Sequence, residues 1–212
     1  GIDLNLMPEL KKAVEEALHK IDSLARTRDQ ANQYAIPAGE ASGFYSGAVA
    51  LVLDVMSTAG EYNSDPDIAR KLAAYHAFAN AKEYAGQERA LSVPVYVANK
   101  VEPAQFRAIL SKIYKQEAYL DSFTDSASAA EKAALTTVLE GEASKEVQRM
   151  RGIMAERAAQ GGFEVNSALW FKTSTDRING LYEVEQLLTR NINNEVTNTL
   201  SDSRTLMLIR IV

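Results

Sequence analysis

The sequence predicts an all-α protein: an up-and-down antiparallel bundle of about six helices, ending in a long C-terminal output helix. Three observations predict it. Apolar residues recur at three- and four-residue spacing through almost every segment, which is the period of a half-buried helix. Only five Pro and eleven Gly punctuate the 212 residues. The last stretch, from Ser167 onward, carries no breaker at all.

Taken in order, the first helix starts at Pro8, favoured at a first helical position, and runs to about Tyr34 with a stripe of Leu10, Val14, Leu18, Ile21, Leu24 and Ala25. "IPAGEASG" breaks it. A second helix covers about Gly39 to Ala59, with Gly39, Gly43 and Gly47 one turn apart, a ladder suited to close helix packing. "GEYNSDPD" supplies Ser64 or Asp65 as N-cap and Pro66 just inside a third helix, which is expected to continue through Pro94 with a kink and to end at "NKVEP". A fourth helix spans about Pro103 to Phe123, and "TDSASAAEKAAL" caps a fifth that reaches about Ala159. The last helix, Ser167 to Val212, is about 46 residues, or roughly 69 Å at 1.5 Å per residue. Its stripe of Leu181, Val184, Leu188, Ile192 and Val196 can pair in a parallel homodimer or pack within its own bundle.

Composition narrows the function. The chain carries 46% hydrophobic residues, enough to bury a core in one domain spanning 1–212. A net charge of −5 and a pI near 5.2 argue against nucleic acid as a partner, since no Lys/Arg block is present. Without Cys, thiolate catalysis and Cys-based zinc sites are excluded, and His19 and His76 are the only imidazoles. No cofactor is implied. No G-x-S-x-G occurs and no Ser has a plausible His partner, so an enzyme is not expected. The most apolar window, "GAVALVLDVM", is too short for a membrane span and carries Asp54, while both ends look cut from something longer.

The arginines are the chemically informative residues. Arg28 has Leu24, Ala25, Ala31 and Asn32 three and four positions away, so it is expected to point inward, whereas Arg26 lies among Asp22, Ser23, Asp29 and Gln30 on a solvated face. Within "KEYAGQERALSVPVY", residues 82–96, Arg89 has Ala85, Gly86, Ser92 and Val93 as helical neighbours. Small side chains around a planar five-donor group leave room for a small planar oxyanion, and Ser92 can add a hydroxyl donor. Glu88 lies one position round the helix, where it can pair with an arginine of another helix. A second reading stays open on these residues: a structural or protein-interaction bundle whose arginines form internal Arg–Glu pairs, with no small-molecule ligand.

The segments "LARTRDQANQ", "SGFYSGAVALVLDVM", "LAAYHAFANAKEYAGQERAL", "FRAILSKIYKQEAYLDSF" and "ALWFKTSTDRINGLYEVEQLL" together resemble the nitrate- and nitrite-sensing (NIT) domain, over roughly residues 20–192. That domain occurs in bacterial chemoreceptors, histidine kinases, cyclic-di-GMP enzymes and some RNA-binding antiterminators. The most specific element is K-E-x-A-G-x-E-R-A, matched by Lys82, Glu83, Ala85, Gly86, Glu88, Arg89 and Ala90. The family's Q-x-E-R-G helix has no counterpart before Arg28. What the resemblance implies is a sensor that binds nitrate or nitrite through arginines on facing helices: Arg89, Arg28 and, less directly, Arg177 in "TDRINGL", with Gly86, Glu88 and Ser92 in support. It further implies a periplasmic, extracytoplasmic domain of a homodimeric transmembrane chemoreceptor or sensor kinase, held to the membrane by flanking segments and signalling by helix displacement.

Overall fold

A computed structural model describes residues 3–63 and 65–209, the side chains of 200–209 excepted. Among the described residues the chain is all helix: a short 3-10 turn at Leu4–Leu6, then α1 (Pro8–Asp22), α2 (Leu24–Asn32), α3 (Ala38–Glu61), α4 (Pro66–Ala98), α5 (Pro103–Ser126), α6 (Ala129–Leu139), α7 (Glu142–Glu156) and α8 (Ser167–Ile209). The all-α bundle is thus as predicted, with eight helices in place of about six.

The two extra helices come from breaks that periodicity does not reveal. The first predicted helix is interrupted at Ser23. The inward stripe runs on across the break in the same register, through Leu10, Ala13, Ala17, Lys20, Leu24 and Thr27. α1 buries Leu10, Ala13 and Ala17 against α3, while Leu18 and Ile21 of the predicted stripe are exposed. The predicted fifth helix breaks at Gly141, whose backbone is extended, while Ser144 Oγ donates to the freed Val138 carbonyl at 2.7 Å. Glycine gives up the most backbone freedom on entering a helix, and the hydroxyl adds a second donor to the Val138 carbonyl, which also accepts from the Gly141 N–H.

Where caps are legible in sequence, they form. Asp65 Oδ1 accepts from the backbone N–H of Asp67 and Ile68, with Pro66 following at the first helical position of α4. Ser64, the alternative cap, lies outside the described residues. α4 runs through Pro94 and stops at Asn99, which takes a left-handed conformation at φ 54°. Ser128 and Glu131 form a capping box on α6, and Asn166 Oδ1 caps α8. The last three residues of the predicted final helix lie outside the described residues.

α4 is the central element, packed on α5, α8 and α3, while α1 covers α3 and α6 and α7 cover α8. Two apolar cores form along it. One gathers Phe78, Phe123, Leu135, Leu181, Val184 and Leu188; the other gathers Tyr96, Ile109, Val147, Met150, Phe163 and Trp170. Burying one such side chain stabilises by roughly 1.5–3 kcal/mol. Leu181, Val184 and Leu188 therefore belong to their own bundle, so the stripe expected to serve a homodimer is largely spent inside the chain.

α3 departs from expectation in two ways. It is the one helix among the described residues long and apolar enough, by length and composition, to cross a membrane, although the sequence reading found no such window. A Cβ placed on Gly39 or Gly43 would meet nothing within 4 Å, and on Gly47 only the Lys20 side chain at 3.8 Å. The glycine ladder therefore makes no close helix crossing within this chain.

Candidate functional site

The "KEYAGQER" stretch sits mid-way along α4, and its polar side chains leave in four directions. Lys82 pairs with Glu185 of α8, which also accepts from the Tyr75 hydroxyl at 3.3 Å. Glu83 turns towards α3, accepting from Ser46 Oγ at 2.7 Å and Gln87 Nε2 at 2.8 Å. Glu88 and Arg89, adjacent in sequence, face opposite environments.

Glu88 is 2% exposed and enters a polar layer between the two apolar cores. It accepts from Arg151 Nε at 2.7 Å and Nη2 at 2.5 Å, a bidentate ion pair, and from Gln116 Nε2 at 2.7 Å. Gln116 Oε1 in turn accepts from Arg151 Nη2 at 3.2 Å and from Arg177 Nη1 at 3.0 Å. α4, α5, α7 and α8 each contribute one member, so the layer fixes their relative register. Arg177 is 6% exposed, and its pKa is pushed down to about 10 by burial and then by the neighbouring Arg151, with Glu88 opposing. The sequence expectation that Glu88 can pair an arginine of another helix is met by Arg151.

Arg89 has no carboxylate partner among the described residues. Its Nη1 donates to Thr175 Oγ1 of α8 at 2.7 Å, and its guanidinium carbon lies 4.8 Å from the centre of the Phe171 ring. Its Nε is buried and has no acceptor. Burial lowers its pKa, yet a guanidinium stays charged at neutral pH. Trp170 Nε1 donates to the Arg89 carbonyl at 3.1 Å, a second tie between α4 and α8 at this position.

Arg89 lines a cleft of about 470 Å³ between α4 and the α2–α3 segment, together with Tyr45, Ser46, Glu83, Gly86 and Gln87. A Cβ added to Gly86 would meet nothing within 4 Å, so the glycine fronts open space and is not the seat of a crossing helix. The cleft thus offers a permanent cation, hydroxyl and amide groups, and room for a small ligand.

The structure does not bring the predicted arginines together. Arg28 is exposed on α2 and does not line the cleft, although Ala31, one turn on, does. The inward placement predicted for it followed the stripe through Leu18 and Ile21, both exposed; the stripe that is buried passes through Ala13, Ala17 and Thr27 and leaves Arg28 on the outer face. Arg177 lies in the Glu88 layer, and Ser92 is fully buried with its hydroxyl unpartnered, outside the cleft lining. Sequence reasoning missed Arg151, Gln116, Thr175 and Phe171. Arg151 carried a usable signal: Val147, Gln148, Met154 and Ala155 are its helical neighbours, the same apolar setting that singled out Arg28.

The nitrate and nitrite sensing family matches residues 2–193. The chain belongs to that family. The match takes in α1, beyond the residues that carried the resemblance. A nitrate regulatory protein of Klebsiella oxytoca is 27% identical over 172 residues, covering 81% of this chain and 43% of that protein. The solved structure of the NasR transcription antiterminator superimposes with a TM-score of 0.81 at 26% identity, covering 94% of this chain and 54% of that one. The chain therefore spans about half the length of the relatives it matches.

These relatives overturn part of the sequence reading. A nitrate regulatory protein and a transcription antiterminator are not chemoreceptors or sensor kinases, so the transmembrane receptor, its chemotaxis role, its periplasmic location and its membrane partnership are all corrected. The exclusion of nucleic acid from the protein's partners falls as well, since one relative acts in transcription. The reason is one of scope: a net charge of −5 describes this chain's surface, and the relatives extend well past the matched region.

Proposed function

We propose that this NIT domain senses nitrate or nitrite at Arg89 and serves a gene-regulatory protein of the nitrate-responsive, antiterminator kind. The observation that carries the reading is Arg89 itself, a part-buried guanidinium with no carboxylate, an unsatisfied Nε and a cleft kept open by Gly86. A buried cation calls for an anion, and charge-assisted hydrogen bonds to a planar oxyanion suit its fork of donors. Glu83 on the cleft wall disfavours doubly charged anions, which selects monovalent ones.

The same residue supplies a route for the signal. Arg89 holds α4 to α8 through Thr175 and Phe171. An anion that draws the guanidinium towards the cleft weakens that tie, and the position of α8 relative to α4 shifts with it. Coupling of this kind requires only that the anion bind one arrangement better, typically by 1–3 kcal/mol. The domain acts by binding, with no catalytic step.

Titration calorimetry with nitrate and nitrite tests the reading on three proteins: wild type, Arg89→Ala, and Gly86→Met, which fills the cleft without removing charge. Binding by the wild type and by neither variant supports it. Undiminished binding by Arg89→Ala, or no heat from the wild type, refutes it.

A further inference from the structure

The polar layer between the two cores does not balance its charge. Arg151 and Arg177 bring two guanidiniums, and Glu88 is the one carboxylate that reaches either of them among the described residues. Both arginines are interior: the Arg151 side chain is 9% exposed and Arg177 6%. Among the described residues Arg177 hydrogen-bonds only to the neutral amide oxygen of Gln116. Tyr96 contributes no counter-charge, because burial raises its pKa and its hydroxyl donates to the Met150 carbonyl. One unit of positive charge is thus left in the bundle interior, where an unbalanced ion is strongly unfavourable.

Beside this layer lies a second cavity, of about 290 Å³, whose lining shares no residue with the Arg89 cleft. Its charged lining is Glu88 and Arg151, and its apolar lining includes Ile109, Ile113, Met154 and Trp170. Tyr114, 62% exposed, stands at its rim. The volume is at the lower end of the roughly 300–1,000 Å³ typical of small-molecule sites. An inorganic oxyanion gains nothing from such walls, whereas an anion with an apolar body uses both the walls and the charge.

We propose that this cavity is a second ligand site, binding a small monocarboxylate with an apolar body: its carboxylate lies against Arg151 on the cavity wall, lowering the net positive charge of the layer to which Arg177 also belongs, and its body packs against Trp170 and the α5 isoleucines. A dicarboxylate is disfavoured by Glu88. The site is independent of the anion reading of Arg89, since the two linings are separate.

Gly152 lines the cavity, and a Cβ there would meet nothing within 4 Å, so Gly152→Leu obstructs it without disturbing the charges. Trp170 is the chain's single tryptophan, so its fluorescence reads the cavity directly. The experiment is a fluorescence titration with sodium benzoate, with benzyl alcohol as the neutral analogue and sodium nitrate as the inorganic one. The wild type and Arg89→Ala are expected to respond to benzoate alike, and Gly152→Leu, checked for folding by its circular dichroism and melting, to lose at least about tenfold in affinity. Should Gly152→Leu fold poorly, Ala155→Leu on the same lining takes its place. Absence of a wild-type response, equal binding of benzyl alcohol, or unchanged affinity in the filled variant overturns the proposal.

Discussion

The two sides of α4 meet at consecutive residues and follow opposite designs. On the side of Glu88, four helices converge on a layer in which each polar group is tied to at least one other, and small displacements break several bonds at once. On the side of Arg89, the same helix faces a cleft of about 470 Å³, and the guanidinium is held by one neutral hydroxyl and an aromatic face. Glu88, with both carboxylate oxygens bonded, is committed to the fold, while the loosely held Arg89 can exchange partners. The comparison teaches that adjacent members of one motif divide the work, Glu88 fixing the register of the bundle and Arg89 remaining free to respond.

The largest effect expected from breaking this contrast comes from Glu88→Gln, which leaves two buried guanidiniums facing no carboxylate. Loss of one partner from a buried pair costs about 3–5 kcal/mol, so urea denaturation is expected to show severe destabilisation. Replacing Arg151 by Met in the same protein should recover part of it, because fewer cations then remain uncompensated. Arg89→Ala, by contrast, loses one hydrogen bond and one cation–π contact, for a cost of about 1–2 kcal/mol. If the two variants proved equally unstable in the same denaturation series, the division between the sides would not hold.

A smaller effect sharpens the picture on the α3 side of α4, where His76 lines a cavity with Met56 and Gly60. Burial lowers its pKa below the ordinary 6.5, with Asp54 opposing in part. The unfolded chain then binds the proton more readily than the folded one. The contribution of His76 to stability is intact above pH 6.5 and is lost as pH falls through that value towards the lowered folded pKa. Melting temperature should therefore decline on acidification through this window, and less steeply in His76→Gln.

Much of the fold was legible because helix caps and periodicity are local. Pro103, the segment "TDSASAAEKAAL" and Asp65, one of two caps offered there, marked helix starts correctly, and the absence of breakers after Ser167 foretold α8. The break at Ser23 was not legible, since it does not interrupt the apolar spacing, and Gly141, costly inside a helix, was passed over because the spacing continues across it. The face of the first helix was misread as well, and this reached the site: the stripe taken through Leu18 and Ile21 put Arg28 inside, whereas the buried stripe through Ala13, Ala17 and Thr27 turns it outward. Gly86 and the Glu88–Arg89 pair were legible as unusual because a small-residue face carrying charges is costly unless it serves something. That Arg177 belongs with Glu88 rather than with Arg89 was not legible, because only the assembled bundle brings α5 and α7 between them.

The central claim is that Arg89, and not another guanidinium, meets the anion. The Arg89 guanidinium lines the cleft, so its side-chain Nε–Hε resonance, assigned by comparison with Arg89→Lys, reports on an anion bound there. Nitrate titration followed by that resonance is expected to shift it in proportion to occupancy, leaving the Nε–Hε signal of Arg151, already bonded to Glu88, in place. A titration that moved the Arg151 or Arg28 signal while the Arg89 signal stayed fixed would contradict the account.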